Sequence, residues 1–290
     1  MPLAQVVLTA AESRKLIAET VSQLREIRRA LKQYRIILCT SSITPDILEA
    51  LGFQEIPETE RGLYVCGMIR AEGLCTTDFD LVKSATIIDK GIVVTDRVER
   101  TKILNSMGPG DIYIKSPNIM DRNGRVGVLA GAPSCGMVGK MVYGLKTSGY
   151  MMIAPTLLLK SAPVDITSLS ETVDLSSYER DASELVKYSC GMPVNLVVLP
   201  EHVRVITEIT AIRQLFGLVS YPIAISGVGS GADAVVLSVT GRDDHLHRFW
   251  KHLCGIKGAE SIVTHATNCR TCPDAKNSNR CGGYSETLKK

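Results

Sequence analysis

Residues 111–155 read DIYIKSPNIMDRNGRVGVLAGAPSCGMVGKMVYGLKTSGYMMIAP, and this stretch carries the clearest signals of the fold class. Asp111–Lys115 alternates like a strand, and Val126–Leu129 and Tyr150–Ala154 are apolar and strand-sized. The Gly-rich run Gly131–Lys140 leads into a helical segment between the last two of them. Strands that alternate with helices predict a largely parallel sheet covered by helices.

A hydroxyl-rich turn at Thr40–Ser42 extends the same pattern toward the N-terminus. The apolar run Arg35–Cys39 predicts a strand before this turn, and Thr44 followed by a proline predicts a helix after it. The free N–H groups of a helix N-terminus can bind an anion, so Ser41, Ser42 and Thr44 are candidate phosphate ligands. The alternative is that these hydroxyls only cap the helix.

Residues 9–33 have the pattern of one amphipathic helix. Thr9 and Glu12 have the spacing of a capping box, and apolar residues recur at helical spacing from Ile17 to Leu31. The opposite, basic face is interpreted as solvated surface.

Four parts are predicted along the chain. Residues 1–160 form an α/β ligand-binding domain, and the polar residues 161–190 form a linker or covering segment. Residues 191–258 form a small α+β domain, and residues 259–290 form a Cys-rich, metal-binding-like tail. The predicted fold class is therefore α/β, with a mostly parallel sheet covered by helices, a small α+β second domain and a Cys-rich C-terminal tail.

The composition is that of an ordinary folded protein. Thirty-three Lys and Arg against thirty Asp and Glu give a net charge of +3 over 290 residues, and 45% of the residues are hydrophobic. These values exclude disorder as the main state and indicate no nucleic-acid partner. No run approaches the roughly 20 apolar residues of a membrane helix, and the N-terminus has no signal-peptide pattern. We expect a cytoplasmic protein without a membrane partner, and a homo-oligomer is left open.

The loop Gly131–Lys140 is the strongest candidate for an anion site. The backbone at Gly131, Ser134, Gly136 and Gly139 can approach a phosphate closely, and Lys140 offers a counter-charge. Met141 follows Lys140, so the loop is not a P-loop. The alternative is that the glycines serve close packing of helix on strand. Cys135 lies in the same loop, where a helix N-terminus would lower the pKa of its thiol and favour the thiolate.

Polar residues after the 111–115 strand are candidates for acid–base chemistry. Asp121 is the candidate acid or base, Asn118 would orient the substrate, and Glu72 is a further candidate carboxylate. The alternative is a plain turn, because the Asn123-Gly124 pair is typical of turns.

The C-terminal tail has metal-ligand spacing. The candidate ligands are His265, Cys269, Cys272 and Cys281, with Cys254 as the alternative fourth ligand. Such a set suits zinc or an iron–sulfur cluster, and the spacing does not separate the two. The alternatives are a redox-sensitive tail or a disordered one.

Three of these features together resemble one superfamily. They are the Thr40–Thr44 turn after a strand, the Gly110–Lys115 strand leading to Asn118 and Asp121, and the Gly-rich loop after Val126–Leu129. Together they look like the fold shared by ribose-5-phosphate isomerase, glucosamine-6-phosphate deaminase and CoA transferases, over roughly residues 10–160. The Gly-Ala-Asp-Glu turn of the isomerase is absent, so the chain is similar to an uncharacterised branch.

The resemblance implies a ligand bound over the carboxyl ends of parallel strands. It also implies that the Ser/Thr turn and the Gly-rich loop hold phosphate while the acidic turn acts on the sugar. We therefore expect an enzyme acting on a phosphorylated or nucleotide-like small molecule, with isomerase- or transferase-type chemistry that proceeds by enolisation or ring opening. The alternatives are a non-catalytic ligand-sensing or assembly protein with a metal knuckle, and an iron–sulfur redox protein.

Overall fold

The computed structural model describes residues 2–71, 73–78, 80–173, 186, 189 and 191–265. Its helices are α1 (Ala10–Gln23), α2 (Arg25–Gln33), α3 (Thr44–Ala50), α4 (Glu58–Arg61), α5 (Arg97–Asn105), α6 (Gly136–Ser148), α7 (Ile166–Val173), α8 (Glu208–Phe216) and α9 (Asp243–Ile256). Its strands are β1 (Leu3–Leu8), β2 (Arg35–Leu38), β3 (Gly67–Arg70), β4 (Gly73–Thr76), β5 (Thr86–Asp89), β6 (Ile92–Val93), β7 (Ile112–Ile114), β8 (Ile119–Met120), β9 (Val126–Ala130), β10 (Met151–Pro155), β11 (Asn195–Val198), β12 (Arg204–Ile206), β13 (Val219–Ile225) and β14 (Val235–Thr240).

A six-stranded mixed sheet, in the order β12-β10-β7-β2-β5-β6, contains the parallel strands. Strands β12, β10, β7 and β2 run parallel to one another, and β5 and β6 add an antiparallel hairpin at one edge. The central residues of β2, β7 and β10 are buried, as expected when both faces of a parallel sheet are covered. The α/β class with parallel strands is confirmed.

The other strands form three smaller antiparallel sheets, in the orders β1-β14-β13, β11-β9-β8 and β3-β4. Two of these sheets join distant parts of the chain: β1 pairs with β14, and β11 pairs with β9. Strand β12 meanwhile joins the edge of the six-stranded sheet beside β10. Strand pairing therefore crosses the predicted boundaries at 160 and 191, because backbone hydrogen bonds link strands from both sides of them.

The N-terminal helix is two helices, which corrects the single helix predicted over residues 9–33. The capping box is present: Glu12 N donates to Thr9 Oγ1 at 3.3 Å, and Thr9 N donates to Glu12 Oε2 at 3.0 Å. The helix then breaks at Leu24, whose backbone is extended and whose side chain is buried. No Gly or Pro lies there, so the break carries no local sequence signal.

None of the described helices combines the length and the apolar character that a membrane crossing requires.

Candidate active site at the strand ends

Four parallel strands end at one edge of the six-stranded sheet, and the residues that follow them are polar. In open α/β sheets, ligands bind outside the carboxyl ends of the parallel strands. We use the name strand-end cluster for five residues that follow β2, β7, β10 and β12, namely Thr40, Lys115, Ser116, Lys160 and Glu208.

Each charged side chain of the cluster reaches from its own strand end to the next. Lys115 Nζ donates to Thr40 O at 3.2 Å. Lys160 Nζ donates to Ser116 Oγ at 3.0 Å and to Pro117 O at 2.5 Å. Glu208 Oε2 accepts a hydrogen bond from Leu158 N at 2.9 Å. These contacts connect the ends of all four strands in spatial order.

Local structure sets the positions of Lys160 and Glu208. Lys160 ends a 3₁₀ turn (Leu158–Lys160) that follows β10. Glu208 is the first residue of α8, whose N-cap Thr207 exchanges hydrogen bonds with Thr210. The positive end of a helix dipole therefore lies at this edge.

The Lys160 ammonium lies in a poorly solvated and electropositive environment. Burial lowers the pKa of Lys160 to about 8, the charges of Lys115 and Arg14 lower it further, and Glu208 acts in the opposite direction. Among the described residues, neither Lys160 nor Lys115 has a carboxylate within 4.0 Å. The ammonium groups of Lys115 and Lys160 thus have no close counter-ion among the residues that the structure describes.

Glu208 is almost fully buried, with 1% of its surface exposed. Burial raises its pKa; backbone N–H groups, the Ser13 hydroxyl and Lys160 oppose that effect. Its second oxygen, Oε1, completes no hydrogen bond with the described residues. A carboxyl group in this state favours the protonated form more than an exposed glutamate does.

Thiols also lie at this edge, and burial disfavours the thiolate form of Cys66. Cys39 follows β2, and the pKa of the Cys66 thiol is raised by burial, which outweighs the opposing charge of Lys115. The Cys66 thiol is therefore held in its protonated form, and the amine of Lys160 is the better candidate nucleophile.

A buried ion-pair network involves the first turn of α1 and helices α3 and α4. Asp46 is 5% exposed and lies between two guanidinium groups, with Oδ2 3.3 Å from Arg14 Nε and Oδ1 2.5 Å from Arg61 Nη2. Arg61 Nη1 also pairs with Glu49 Oε1 at 2.6 Å. Arg14 thus forms an ion pair with Asp46, and its positive charge also lowers the pKa of Lys160.

The predicted hydroxyl turn lies at the same edge, immediately after β2. Thr44 Oγ1 donates to Cys39 O at 2.7 Å, so Ser41 Oγ supplies the hydrogen in its own 3.0 Å bond to Thr44 Oγ1. Ser42 is half-buried. Thr44 is the first residue of α3, and the side chain of the N-cap residue Ile43 makes no capping hydrogen bond. The hydroxyls of Ser41 and Thr44 stabilise the turn. They do not cap the N-terminus of α3.

Asp121 and Asn118 build a turn between strands. Asp121 is buried, and its Oδ1 accepts from Asn123 N at 2.7 Å and from Arg125 N at 2.9 Å. Asn118 Oδ1 accepts from Leu129 N at 3.0 Å. The turn alternative accounts for these contacts with backbone N–H groups. Glu72, the third predicted catalytic residue, lies outside the described residues.

The Gly131–Lys140 loop makes packing contacts. A Cβ at Gly139 would lie 2.4 Å from Ser134 O, and a Cβ at Gly131 would lie 2.7 Å from Met192 Sδ. Ser134, Cys135 and Gly136 all have positive φ, at 51°, 56° and 52°.

Lys140 and Cys135, the two side chains of this loop with a predicted chemical role, are not arranged as an anion site. Lys140 Nζ donates to Asn105 Oδ1 on α5 at 2.5 Å, so the ammonium is directed to a neighbouring helix. Cys135 is buried, which raises the pKa of its thiol, and a contact with Asn195 opposes that effect. The expected lowering of the Cys135 pKa is therefore wrong, because burial disfavours the thiolate.

The predicted metal ligands fall largely outside the described residues: Cys269, Cys272 and Cys281 all do. The ring Nε2 of His265 lies 3.1 Å from Thr59 O. Within the part of the chain that the structure describes, no three His, Cys, Asp or Glu side chains are grouped as a metal site. Zinc or iron–sulfur binding by the tail stays a prediction.

A groove of about 250 Å³ lies at a different place, between residues 123–126 and 200–205. Its charged lining residue Arg125 pairs with Glu201 at 3.1 Å. It contains no member of the strand-end cluster.

Sequence reasoning missed Lys115, Lys160 and Glu208. Lys115 ends a predicted strand, Lys160 lies at a predicted domain boundary, and no predicted site includes Glu208. One signal could have found Lys115: it is a charged residue directly after the apolar run Ile112–Ile114, which predicts a buried strand.

No model of a protein family, no curated protein and no solved structure matches this chain. The resemblance to the isomerase and CoA-transferase superfamily therefore stays a prediction.

Proposed function

We propose that the protein is an enzyme that binds a small phosphorylated or carboxylated substrate at the strand-end cluster. The observation that carries the proposal is the pair Lys115 and Lys160, which lie at one strand edge with no carboxylate within 4.0 Å among the described residues. The sequence predicted isomerase-type chemistry with Asp121 as the acid or base. We now propose the same type of chemistry at the strand-end cluster.

The electrostatics favour an anionic ligand at this edge. Two neighbouring ammonium groups repel each other, and burial weakens the solvation of Lys160. A bound phosphate or carboxylate would supply the missing counter-charge and accept hydrogen bonds from both lysines. The N-terminus of α8 adds a positive dipole end at the same place.

The cluster also contains a group suited to proton transfer. Burial of Glu208 raises its pKa, and its Oε1 is without a hydrogen bond among the described residues. Carboxyl groups of this kind act as general acids and bases near neutral pH. Lys115 would hold the anionic group, and Glu208 would move the proton in an enolisation or ring opening.

Thermal unfolding with inorganic phosphate tests the anion site. We expect phosphate to raise the Tm of the wild type by mass action, and we expect Lys115→Met to lose most of that rise. Lys146→Met, which removes an exposed lysine of α6, is the matched control and should keep the rise.

A third variant, Lys140→Met, separates the two candidate sites. If Lys140→Met loses the phosphate effect while Lys115→Met keeps it, the anion binds at the Gly-rich loop and the proposal fails. Turnover in a screen of phosphorylated sugars then distinguishes an enzyme from a ligand-sensing protein, because a sensor would bind without consuming the compound.

A further inference from the structure

We propose that Lys160 is a nucleophile that forms an imine with the carbonyl carbon of a small anionic aldehyde or ketone. This inference rests on the proposed function, because the anion site would hold the phosphate or carboxylate of that substrate. It adds the substrate class, a carbonyl compound, and a covalent step.

Two neutral acceptors hold the Lys160 nitrogen in place. Nζ donates to Ser116 Oγ at 3.0 Å and to Pro117 O at 2.5 Å. A neutral amine has two N–H bonds, so these two contacts use both and leave the lone pair for a carbonyl carbon. A close carboxylate would hold a third proton on the nitrogen, and none lies within 4.0 Å among the described residues.

The surroundings of Lys160 favour loss of that proton. Burial is the largest influence, and the positive charges of Lys115 and Arg14 act in the same direction against the single opposing charge of Glu208. Lysine nucleophiles are activated in this way, by desolvation or by a neighbouring cation. Lowering the pKa from 10.5 to about 8 gives on the order of a hundredfold more neutral amine near pH 7.

Glu208 can supply the proton that imine formation needs. The amine lone pair attacks the carbonyl carbon, the C=O π bond breaks, and a proton moves from nitrogen to oxygen to give a carbinolamine. The carbinolamine hydroxyl then takes a proton from Glu208 and leaves as water, and the nitrogen lone pair forms the C=N bond. Hydrolysis returns the proton and the free amine, so the cycle needs no oxidant or reductant.

Reductive trapping tests this step directly. Wild-type protein is mixed with sodium cyanoborohydride and one of three probes: glyoxylate, glycolaldehyde phosphate or neutral glycolaldehyde. Peptide mass spectrometry then gives the rate at which each lysine gains the reduced adduct. Lys146, which is exposed on α6, is the internal reference.

We expect Lys160 to react at least roughly tenfold faster than Lys146 near pH 7, because more of it is neutral. The rate should rise with pH and level off above about 8. Both anionic probes should react faster than neutral glycolaldehyde, and Lys115→Met should remove that preference. The faster of the two anionic probes tells whether the site prefers phosphate or carboxylate.

Two results would overturn the inference in different ways. If phosphate raises the Tm but Lys160 reacts no faster than Lys146, the imine is wrong and the anion site stands. If phosphate has no effect and Lys160 is also unreactive, both proposals fail. Lys160→Arg keeps the positive charge without the amine, so it should retain the phosphate effect; loss of the phosphate effect in this variant, while it remains folded, would assign Lys160 to anion binding and count against an imine role.

Discussion

Replacing Lys160 by Met should change how the stability of the protein depends on pH. The pKa of Lys160 is lowered from 10.5 to about 8, chiefly by burial. At 1.36 kcal/mol per pKa unit, keeping the proton on the folded protein costs about 3 kcal/mol. Water reaches part of the side chain, so this value is an upper limit.

The sign of the effect follows from proton counting. Below pH 8 both the folded and the unfolded chain hold the Lys160 proton, and the folded chain bears the full cost. Between pH 8 and 10.5 only the unfolded chain holds it, so the free energy of unfolding rises with pH. Lys160→Met lacks this contribution. The stability of wild type minus that of the variant should therefore increase by up to about 3 kcal/mol across this interval.

Urea unfolding at a series of pH values measures this difference. Circular dichroism is the better probe, because the single Trp, Trp250, is 54% exposed. Loss of the bonds to Ser116 and Pro117 shifts the variant by a nearly constant amount, so the change with pH isolates the titration. Lys146→Met reports the effect of losing one surface lysine. If the difference in the free energy of unfolding between wild type and Lys160→Met stays constant from pH 7 to 10.5, the pKa of Lys160 is not lowered in the folded protein.

Four further substitutions, one of them a control, test other contacts in the structure. Asp46→Ala leaves two buried guanidinium groups without their shared carboxylate and should destabilise by about 3–5 kcal/mol in urea unfolding; Glu58→Ala, at an exposed partner, should cost at most about 1 kcal/mol, and equal losses would contradict the network. Asp121→Ala removes the acceptor of three backbone N–H groups and should cost about 3 kcal/mol, whereas a neutral result would restore Asp121 as a candidate for catalysis. Gly139→Ala places a Cβ 2.4 Å from a backbone oxygen and should lower stability by about 1–3 kcal/mol; an unchanged urea midpoint would show that the loop has room.

Local sequence chemistry accounts for the ends and turns of several elements. The Thr9–Glu12 capping box starts α1, Asp96 caps α5 by accepting from Glu99 N, and Gly149 ends α6 in a left-handed conformation. The Lys90-Gly91 pair turns the β5–β6 hairpin, with φ of 47° and 83°. Such signals can be recognised in the sequence because each depends on residues at most a few positions apart.

The candidate site was predicted less well for the opposite reason. The turn between β2 and α3 has the local structure expected, because a strand, a polar turn and a helix follow one another directly in the sequence; its role in binding stays a prediction. Asp121 was interpreted as an acid or base, yet its carboxylate closes its own turn. A polar residue that binds the backbone of its own turn and one that faces a substrate have the same sequence pattern.

Sequence patterns alone predict the α/β class, most of the strands and helices, and a polar turn after each of the strands β2 and β7. Which charged side chains lie next to one another depends on tertiary contacts. Glu208 accepts its bond from Leu158, fifty residues earlier, and Lys160 reaches Ser116, forty-four residues earlier. The parallel register of β12, β10 and β7 brings these ends to one edge. Burial at that edge, which no single segment encodes, lowers the pKa of Lys160 and raises that of Glu208.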